Sequence, residues 1–272
     1  MTRLDVIGNV SQDVTRYPDD RGGARLGGAA LFVALAAARA GRPAAPVCVL
    51  GEDLAHVPRT PGLAGLDWSA HGEAEGTSTR FDLRYDLQGE LTDVRTDYGV
   101  AERLTHHALA HVDRHPGGQY HVCCRRPLDA AAVLDQLVHR GATFSVDFFL
   151  PSAEDMIRLV APWLNGASTV FVNAAEYRLL QAVTDAAALP EVVVTDGPRA
   201  ARVLAFGRQT ASVIPPSRAP REVSGAGDTV AGTFLAHRSR GATPARALAE
   251  AVEAAARFVA ASSFPLPAQR RA

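Results

Sequence analysis

The sequence contains no lysine, and all 28 of its basic residues are arginine. Walker A loops and protein kinases both place a lysine on the phosphates of a nucleotide triphosphate. Pyridoxal enzymes and Schiff-base aldolases likewise need an amine nucleophile. The absence of lysine therefore excludes these classes in their usual form. If the chain handles a nucleotide triphosphate, it must use backbone amides, arginine and a metal ion.

Cysteine, excess charge and long apolar runs are also scarce or missing. The cysteines (Cys48, Cys123 and Cys124) are odd in number and two are adjacent, which does not fit a disulfide framework. A net charge of −1 offers no basic surplus for nucleic acid or anionic lipid. No stretch is long and apolar enough to cross a bilayer. We expect a cytoplasmic protein with a small-molecule partner and neither nucleic acid nor membrane.

The 272 residues, 47% of them hydrophobic, are enough for one large domain or two small ones with a buried core. Short apolar runs alternate with helical segments, which predicts an α/β fold with a mostly parallel sheet covered on both faces. Strands are predicted over 4–10, 45–50, 119–123, 143–148, 169–172, 191–195, 201–206 and 210–214. Helices are predicted over 29–40, 101–114, 128–140 and 153–164, with two more from about 227 and 243. Residues 52–76 show no firm element.

A different pattern occupies Thr79–Tyr98, where apolar and charged side chains alternate from Phe81 to Leu87. This is the pattern of a strand with one solvated face. Gln88-Gly89 predicts a turn, and residues 91–96 return as a second strand. We expect this hairpin, inserted over about residues 77–99, to form a small β lid or an edge sheet. Its exposed edge could also pair with a second subunit and form a homodimer.

The segment Glu222–Gly232 carries the strongest chemical signal. Gly225 and Gly227 flank Ala226 at an expected helix N-terminus, where free backbone N–H groups attract anions such as phosphate. Asp228 follows directly, and a carboxylate beside such an anion hole can remove the proton of a hydroxyl that attacks a phosphoryl group. The segment predicts a phosphotransferase centre. Alternatively, Asp228 only caps the helix, a contribution of about 1 kcal/mol.

The run from Gly225 to Thr229, followed by Ala231–Leu235, resembles the C-terminal signature of the ribokinase-like, or PfkB, family of carbohydrate and nucleoside kinases. Other short motifs resemble the family's in the same order along nearly the whole chain. The resemblance implies a single ribokinase-like kinase domain over residues 1–272, with a three-layer α/β/α fold. It also implies phosphoryl transfer from ATP, with Mg²⁺, to an alcohol group. Asp228 would be the catalytic base and the Gly-Ala-Gly amides the anion hole.

The family resemblance also implies residues that bind the nucleotide and the metal. Asn173 and Glu176 resemble the Asn-x-x-Glu motif that helps to hold Mg²⁺ and phosphate, and one carboxylate acting through water is enough for Mg²⁺. Thr195 and Gly197 resemble the nucleotide-side strand and turn, and Asn173 would contact the nucleotide as well. The simpler structural alternatives are a helix start for the first pair and an ordinary strand end for the second.

On the acceptor side, Asp13 resembles the family's substrate-binding aspartate and Gly27-Gly28 its double-glycine signature. Their simpler alternatives are a solvated loop carboxylate and a plain turn before a helix. Two further acceptor-side positions depart from the family pattern. Phe32 replaces an asparagine that often binds sugar hydroxyls, and Arg125 stands where ribokinases tend to carry a glutamate. We place both among the substrate-binding residues of an altered pocket.

A third departure concerns Glu222, which replaces an aspartate that commonly lies by a monovalent-cation site. This change leaves potassium activation open. Phe32 favours a sugar or an inositol-like cyclitol as the acceptor, with a nucleoside as the alternative. A hypothesis of another class is a non-catalytic homologue that binds a nucleotide or sugar without turnover. A nicotinamide oxidoreductase is disfavoured because Val230 stands where its fingerprint loop needs glycine or alanine.

Two patterns in the sequence contain histidine and resemble possible metal sites. His107, His111 and His115 share one helical face, but no carboxylate or cysteine partner is evident in the sequence, which favours a solvated face. The second pattern is His121-Val122-Cys123-Cys124 on a predicted strand, which is thin evidence for zinc. Cys123 and Cys124 are neighbours on this strand and point to opposite faces, so they cannot readily share one ion.

Overall fold

A mostly parallel sheet of eight strands forms the centre of the computed structural model, which describes residues 1–20 and 22–261. The strands are β1 (Leu4–Ile7), β2 (Ser11–Arg16), β3 (Gly22–Gly27), β4 (Ala44–Val47), β5 (Val49–Leu50), β6 (Gly72–Glu73), β7 (Thr79–Tyr85), β8 (Leu91–Asp97), β9 (Gln119–Cys124), β10 (Thr143–Phe148), β11 (Thr169–Asn173), β12 (Val192–Thr195), β13 (Ala201–Ala205) and β14 (Arg208–Val213). The α-helices are α1 (Ala29–Arg39), α2 (Leu104–Arg114), α3 (Ala130–His139), α4 (Leu150–Leu164), α5 (Ala174–Val183), α6 (Ala226–Arg238) and α7 (Pro244–Ala260).

The central sheet has the strand order β14-β13-β12-β11-β10-β9-β1-β4. The strands from β4 to β12 in this order run parallel, whereas β13 and β14 are antiparallel additions at one edge. All four residues of β1 and of β4 are buried. Strands buried on both faces need mostly apolar side chains in both directions, which is why they are visible in the sequence as apolar runs, interrupted in β1 by the buried Asp5.

Helices cover both faces of this sheet and create two separate cores. On one face, α1, α6 and α7 pack together around Leu31, Phe234 and Leu248. On the other face, helices α2 to α5 bury side chains such as Leu134 and Ile157. This arrangement confirms the expected three-layer α/β/α fold. Residues 21 and 262–272 of the expected single domain lie outside the described residues.

A second sheet, here called the small sheet, has the strand order β3-β2-β7-β8. The predicted hairpin is present as β7 and β8, but it is only half of this sheet. The other half, β2 and β3, was not predicted, and the strand expected over 4–10 ends at Ile7. The buried residues of β2 are Ser11, Asp13 and Thr15, which are polar. A polar inward face gives no apolar alternation that could reveal the strand. Pairing of this sheet with a second subunit stays a prediction.

Two of the three histidines on this face of α2 are not solvated, contrary to expectation, whereas His115 is exposed. His111 is 2% exposed and its Nε2 lies 2.7 Å from Oδ2 of the buried Asp5 in β1. His107 Nε2 lies 2.9 Å from the carbonyl oxygen of Ala70. His111 therefore attaches α2 to β1, and His107 attaches it to the segment before β6. The three cysteines are buried free thiols, as expected.

No helix among the described residues combines the length and the apolar composition that a membrane crossing requires.

Candidate active site

The candidate site is a cleft between the carboxyl ends of the central strands and the small sheet. The loop before α6 contributes Ser224, the first turn of α6 contributes Asp228, and the segments after β9 and β10 contribute Arg125 and Phe149. The facing wall comes from the small sheet and from α1. Its side chains include those of Asp13, Phe32, Phe81 and Leu83. The topology thus brings together most residues that the sequence placed on the acceptor side.

Helix α6 begins with backbone N–H groups directed at this cleft. Gly225 precedes the helix with φ 91°, and a Cβ at this position would lie 2.8 Å from the Phe32 ring. Both the left-handed backbone and the close ring therefore require glycine. The N–H of Ala226 donates to the carbonyl oxygen of Val223 at 3.1 Å, so this predicted anion-hole amide is already in use.

Three other amides at the start of α6 remain available. Among the described residues, no protein group accepts a hydrogen bond from the N–H of Gly225, Gly227 or Asp228. Unsatisfied N–H groups at a helix N-terminus, together with the helix dipole, attract anions. Two of the three predicted anion-hole amides, those of Gly225 and Gly227, are therefore available in the structure. The Asp228 amide is available in place of the Ala226 amide.

The carboxyl group of Asp228 is 13% exposed and reaches into the cleft, where its Oδ1 lies 3.6 Å from Nη2 of Arg125. The same Nη2 donates to Asp147 Oδ2 at 2.6 Å, and the guanidinium lies over the Phe149 ring at 5.6 Å. Burial alone would lower the pKa of Arg125, but the carboxylates of Asp147 and Asp228 raise it above its ordinary value. Arg125 stays a predicted substrate contact, since it lines the cleft, and it also lies between two carboxylates.

Beneath Arg125 and Asp228 lies a buried cluster of three side chains, His121, Cys123 and Asp147. Their potential ligand atoms lie within 4.8 Å of one another. Burial lowers the pKa of His121 to about 3, so the ring is neutral, and burial raises the pKa of the Cys123 thiol. The guanidinium of Arg125 already balances the charge of Asp147. We therefore assign the cluster to the core beneath the site.

Asn173 and Glu176 lie at the carboxyl end of β11 and together form the start of α5. The Asn173 side chain accepts from the N–H groups of Ala175 and Glu176, and Glu176 Oε2 accepts from the N–H of Asn173. This reciprocal capping box is the structural alternative considered for the motif, and it fixes both side chains. Burial raises the pKa of Glu176 to about 7, although the Asn173 amide and Arg125 oppose the shift.

Carboxyl groups whose charge a metal ion would balance lie at the cleft and beneath it. Among the described residues, Asp147, Glu176 and Asp228 interact electrostatically with one another and with the guanidinium of Arg125. Burial raises the pKa of Asp147, as it does that of Glu176. Once ionised, three carboxyl groups beside one guanidinium form a surplus of negative charge, which fits Mg²⁺, a cation that prefers oxygen ligands.

On the acceptor side, Asp13 is 3% exposed, and its Oδ1 accepts from Ser11 Oγ at 2.7 Å. Burial raises its pKa to about 6. A Cβ at Gly27 would lie only 1.9 Å from Asp13 Oδ2, and one at Gly28 would lie 2.2 Å from the carbonyl oxygen of Asn9. The double glycine is therefore needed for the close approach of this turn to Asp13 and to the segment after β1.

The cleft residues that the sequence analysis missed include Asn9, Phe81 and Phe149. Phe81 and Phe149 face one another edge to face at 6.4 Å, on opposite sides of the cleft. Asn9 is 4% exposed, and its Nδ2 and Oδ1 find no hydrogen-bond partner among the described residues. The sequence signal that could have identified Asn9 is its position just after the end of β1, next to Gly8. Phe32 packs edge to face on Phe258 at 5.4 Å and completes the wall.

Glu222 is buried rather than open to an ion. Its Oε2 lies 2.7 Å from Nη1 of Arg25 and accepts from Thr15 Oγ1, while its Oε1 accepts from Tyr17 OH and from the N–H of Ser224. Both carboxylate oxygens are therefore engaged by the protein. Arg25, also missed by the sequence analysis, supplies the positive charge at this position.

Thr195 and Gly197 lie at the same edge of the sheet. Thr195 is paired in register with Asn173 across β11 and β12. Gly197 adopts φ 55° in the turn before β13, and no atom of the described residues outside its chain neighbours lies within 4 Å of the position that a Cβ would take. Contact of Thr195 and Gly197 with a nucleotide stays a prediction.

Comparison with known proteins identifies the family. Residues 1–265 match the pfkB family of carbohydrate kinases. The chain belongs to this family. The pfkB kinases transfer a phosphoryl group to a hydroxyl group, so membership supports the kinase, transferase and nucleotide-binding assignments.

Individual pfkB relatives are similar along nearly the whole chain. The cytidine kinase of Thermococcus kodakarensis is 28% identical over 256 residues, which cover 89% of this chain and 90% of the relative. A Burkholderia thailandensis nucleoside kinase, solved with inosine, superposes with a TM-score of 0.75 at 18% identity and covers 96% of this chain and 92% of that one.

A third relative bears on the cofactors of the pfkB family. A candidate ribokinase II from E. coli, solved in complex with ATP and Mg²⁺, has a TM-score of 0.75 at 18% identity and covers 97% of this chain and 94% of that one. This structure supports ATP and Mg²⁺ at the level of the family. At these identities, both structural similarities establish the fold.

Proposed function

We propose that the protein is an ATP-dependent nucleoside kinase in which Asp228 is the catalytic base. The observation that carries this proposal is the position of the Asp228 carboxyl, inside the cleft and beside amides that have no acceptor in the described part of the chain. A base and an anion site next to one another are what phosphoryl transfer to a hydroxyl needs.

In this mechanism the acceptor hydroxyl gives its proton to Asp228 as its oxygen forms a bond to the terminal phosphorus of ATP. The bond from that phosphorus to the bridging oxygen breaks, and ADP leaves. Arg125 orients the Asp228 carboxylate from 3.6 Å. The amides of Gly225, Gly227 and Asp228 stabilise charge on the transferring group, and one such contact is worth about 10²-fold in rate.

Asn173 and Glu176 would hold Mg²⁺ through water, since their direct contacts are taken by the capping box. When bound, Mg²⁺ neutralises charge on the phosphates. Thr195 and Gly197 would contact the nucleotide. Because an arginine and backbone amides take the place of the missing lysine, this set of residues agrees with the composition of the chain.

A nucleoside is favoured as the acceptor because the cleft is lined by aromatic rings. Phe32, Phe81 and Phe149 offer apolar ring faces and edges against which a base can stack. The unpartnered amide of Asn9 can both donate to and accept from a polar base edge. The similarity to a cytidine kinase and to an inosine-bound nucleoside kinase points the same way.

Asp13 would accept hydrogen bonds from acceptor hydroxyls, and the small sheet would act as a lid that excludes water. The sugar or cyclitol acceptor expected from Phe32 is the second candidate. Asp13 would serve it equally well, but the aromatic wall would then have no base to stack against.

The test is a screen of acceptor-dependent ADP formation with ATP and Mg²⁺ over nucleosides, sugars and inositols. We expect turnover with at least one nucleoside and higher kcat/KM for it than for any sugar or inositol. Preference for a sugar or inositol would support the second candidate. ATP binding without turnover on any acceptor would support the non-catalytic homologue and contradict the proposal.

A further inference from the structure

Two side chains of the small sheet, and Tyr17 directly after β2, converge on one carboxylate that lies outside the sheet. Thr15 Oγ1 and Tyr17 OH each donate to Glu222 at 2.8 Å, and Arg25 Nη1 lies 2.7 Å from Glu222 Oε2. The side chains of Arg25 and Glu222 are 2% and 6% exposed. The contact is therefore a buried ion pair supported by two hydroxyl groups, in contrast to the surface pairs of the same sheet.

The same carboxylate contacts the segment 223–225, which leads into α6 and is here called the α6 loop. Glu222 Oε1 accepts from the N–H of Ser224 at 3.0 Å, and the N–H of Val223 donates to Tyr17 OH at 3.3 Å. This loop ends at Gly225, whose left-handed backbone sets the start of the helix. Glu222 thus holds the small sheet and the loop before the anion site at once.

Arg25 also joins this contact to the acceptor side of the cleft. It is paired in register with Asp13 across β2 and β3, and the two side chains interact electrostatically. Asp13 itself lines the cleft. One buried guanidinium is therefore shared by the carboxylate that faces the acceptor and the carboxylate that holds the α6 loop.

We propose that Glu222 and Arg25 form a latch that couples closure of the small sheet to the geometry of the α6 loop. The inference rests on the proposed transfer reaction. An acceptor bound at Asp13 keeps the small sheet closed, the closed sheet holds Glu222, and Glu222 holds the loop that places Gly225 and Asp228. Glu222 and Arg25 are positioning residues, and they restrict phosphoryl transfer to the acceptor-bound state. Transfer of the phosphoryl group to water is thereby suppressed.

Kinetic measurements on Glu222→Gln, Arg25→Gln and the double variant test the latch. We expect each single variant to lower kcat for the acceptor by roughly 5- to 150-fold, the usual range of coupling between sites. ATP affinity should stay within about twofold. The ratio of acceptor-independent ATP hydrolysis to transfer should rise, which a merely structural role would not produce. The double variant should be no worse than the more impaired single variant, because the two residues act together.

Arg16→Gln is the matched control, because Arg16 lies on β2 and pairs with Asp82 in an exposed contact that does not reach the loop. It should leave kcat and the hydrolysis ratio unchanged. Arg25→Lys keeps the positive charge, so it should recover part of the phosphoryl transfer that Arg25→Gln loses. It also provides a folded variant at this position if Arg25→Gln does not fold. Normal kcat and an unchanged hydrolysis ratio in both Gln variants would overturn the latch.

Hydrogen exchange tests the coupling without any turnover, and so separates its failure from failure of the proposed function. Glu222→Gln should raise amide exchange both in β2–β3 and at residues 223–225, while β9 to β11 stay protected. If only one of the two regions changed, the coupling would be refuted even in an active kinase. If both changed in a protein with no kinase activity, the latch would stand and the reaction assignment would fall.

Discussion

The Arg125 guanidinium lies between two carboxylates, 3.6 Å from Asp228 Oδ1 and 2.6 Å from Asp147 Oδ2. Arg125 follows β9, and Asp228 lies in the first turn of α6, about a hundred residues later in the chain. The pair thus forms only when the sheet and α6 pack together. A base held by a buried arginine keeps one orientation, which is what a proton acceptor in the cleft needs.

Replacement of Arg125 tests this relationship. Arg125→Gln should lower kcat by about 10²-fold, because the Asp228 carboxylate loses the group that orients it. ATP affinity should change little. Steady-state kinetics and nucleotide titration would measure both. The neighbouring Arg126 is 60% exposed and pairs with Asp155 at 3.6 Å, so Arg126→Gln is the control and should keep normal kcat. Equal losses in the two variants would argue against a specific role for Arg125.

The glycine that precedes α6 can be tested with alanine. Gly225→Ala forces a left-handed alanine, at about 1–2 kcal/mol, and also places a Cβ 2.8 Å from the Phe32 ring. We expect lower stability and a strongly reduced kcat, measured by denaturant unfolding and initial rates. Gly241→Ala is the control, since Gly241 has φ 79° but open space around it. It should lose a similar backbone contribution and keep its kcat. Comparable kcat in both variants would contradict the assigned anion site.

Asp13 should make stability depend on pH. Its carboxyl has a pKa of about 6 in the folded protein, against 3.8 for a free aspartate side chain, so the folded state holds its proton more tightly. The side chain therefore costs stability as pH rises through this window, by up to about 3 kcal/mol above it. Asp13→Asn should be more stable than the parent at pH 7, with no difference below about pH 3.5. Thermal unfolding from pH 3 to pH 7 would check this, and a less stable Asp13→Asn at pH 7 would contradict it.

The same variant should bind the acceptor more weakly, because a neutral amide replaces an oxygen pair that accepts from hydroxyl groups. A gain in stability together with a loss in acceptor affinity would mark Asp13 as a functional residue in a costly position.

Glu176 provides a test of the metal site. Because burial raises its pKa to about 7, binding of Mg²⁺ should displace a proton, and Mg²⁺ affinity should increase as pH rises through 7. Glu176→Gln keeps an oxygen for the capping box and should raise the Mg²⁺ concentration for half-maximal rate by about tenfold or more. Glu154 is exposed and pairs with Arg158, so Glu154→Gln is the control. An unchanged Mg²⁺ requirement in Glu176→Gln would leave the motif a helix cap only.

Much of the fold could be predicted because strands of the central sheet such as β4 and β12 are apolar on both faces. The start of α6 could also be predicted, because Gly225 and Gly227 followed by Asp228 are typical of an anion site at a helix N-terminus. The strands β2 and β3 were not, because their inward side chains include Ser11, Asp13 and Thr15, which resemble a loop. His111 was misjudged for a related reason: its partner Asp5 lies in a different element, and spacing along one helix cannot reveal it.

The site was predictable at the level of motifs but not of contacts. The anion hole was expected to include the Ala226 amide, but in the structure this N–H donates to the carbonyl oxygen of Val223. Arg125 was expected to face the substrate, and its two carboxylate partners come from other elements. The partners of Glu222 likewise come from strands that were not predicted. Such contacts depend on packing between distant segments, which a single sequence does not encode locally.

The most direct test of the central claim is acceptor-dependent ADP formation by Asp228→Asn, alongside its ATP affinity and thermal stability. The account predicts a folded protein that binds ATP normally and transfers phosphate at least about 10²-fold more slowly, the usual contribution of a general base. Transfer at a rate near that of the parent protein would contradict the assignment of Asp228 as the base.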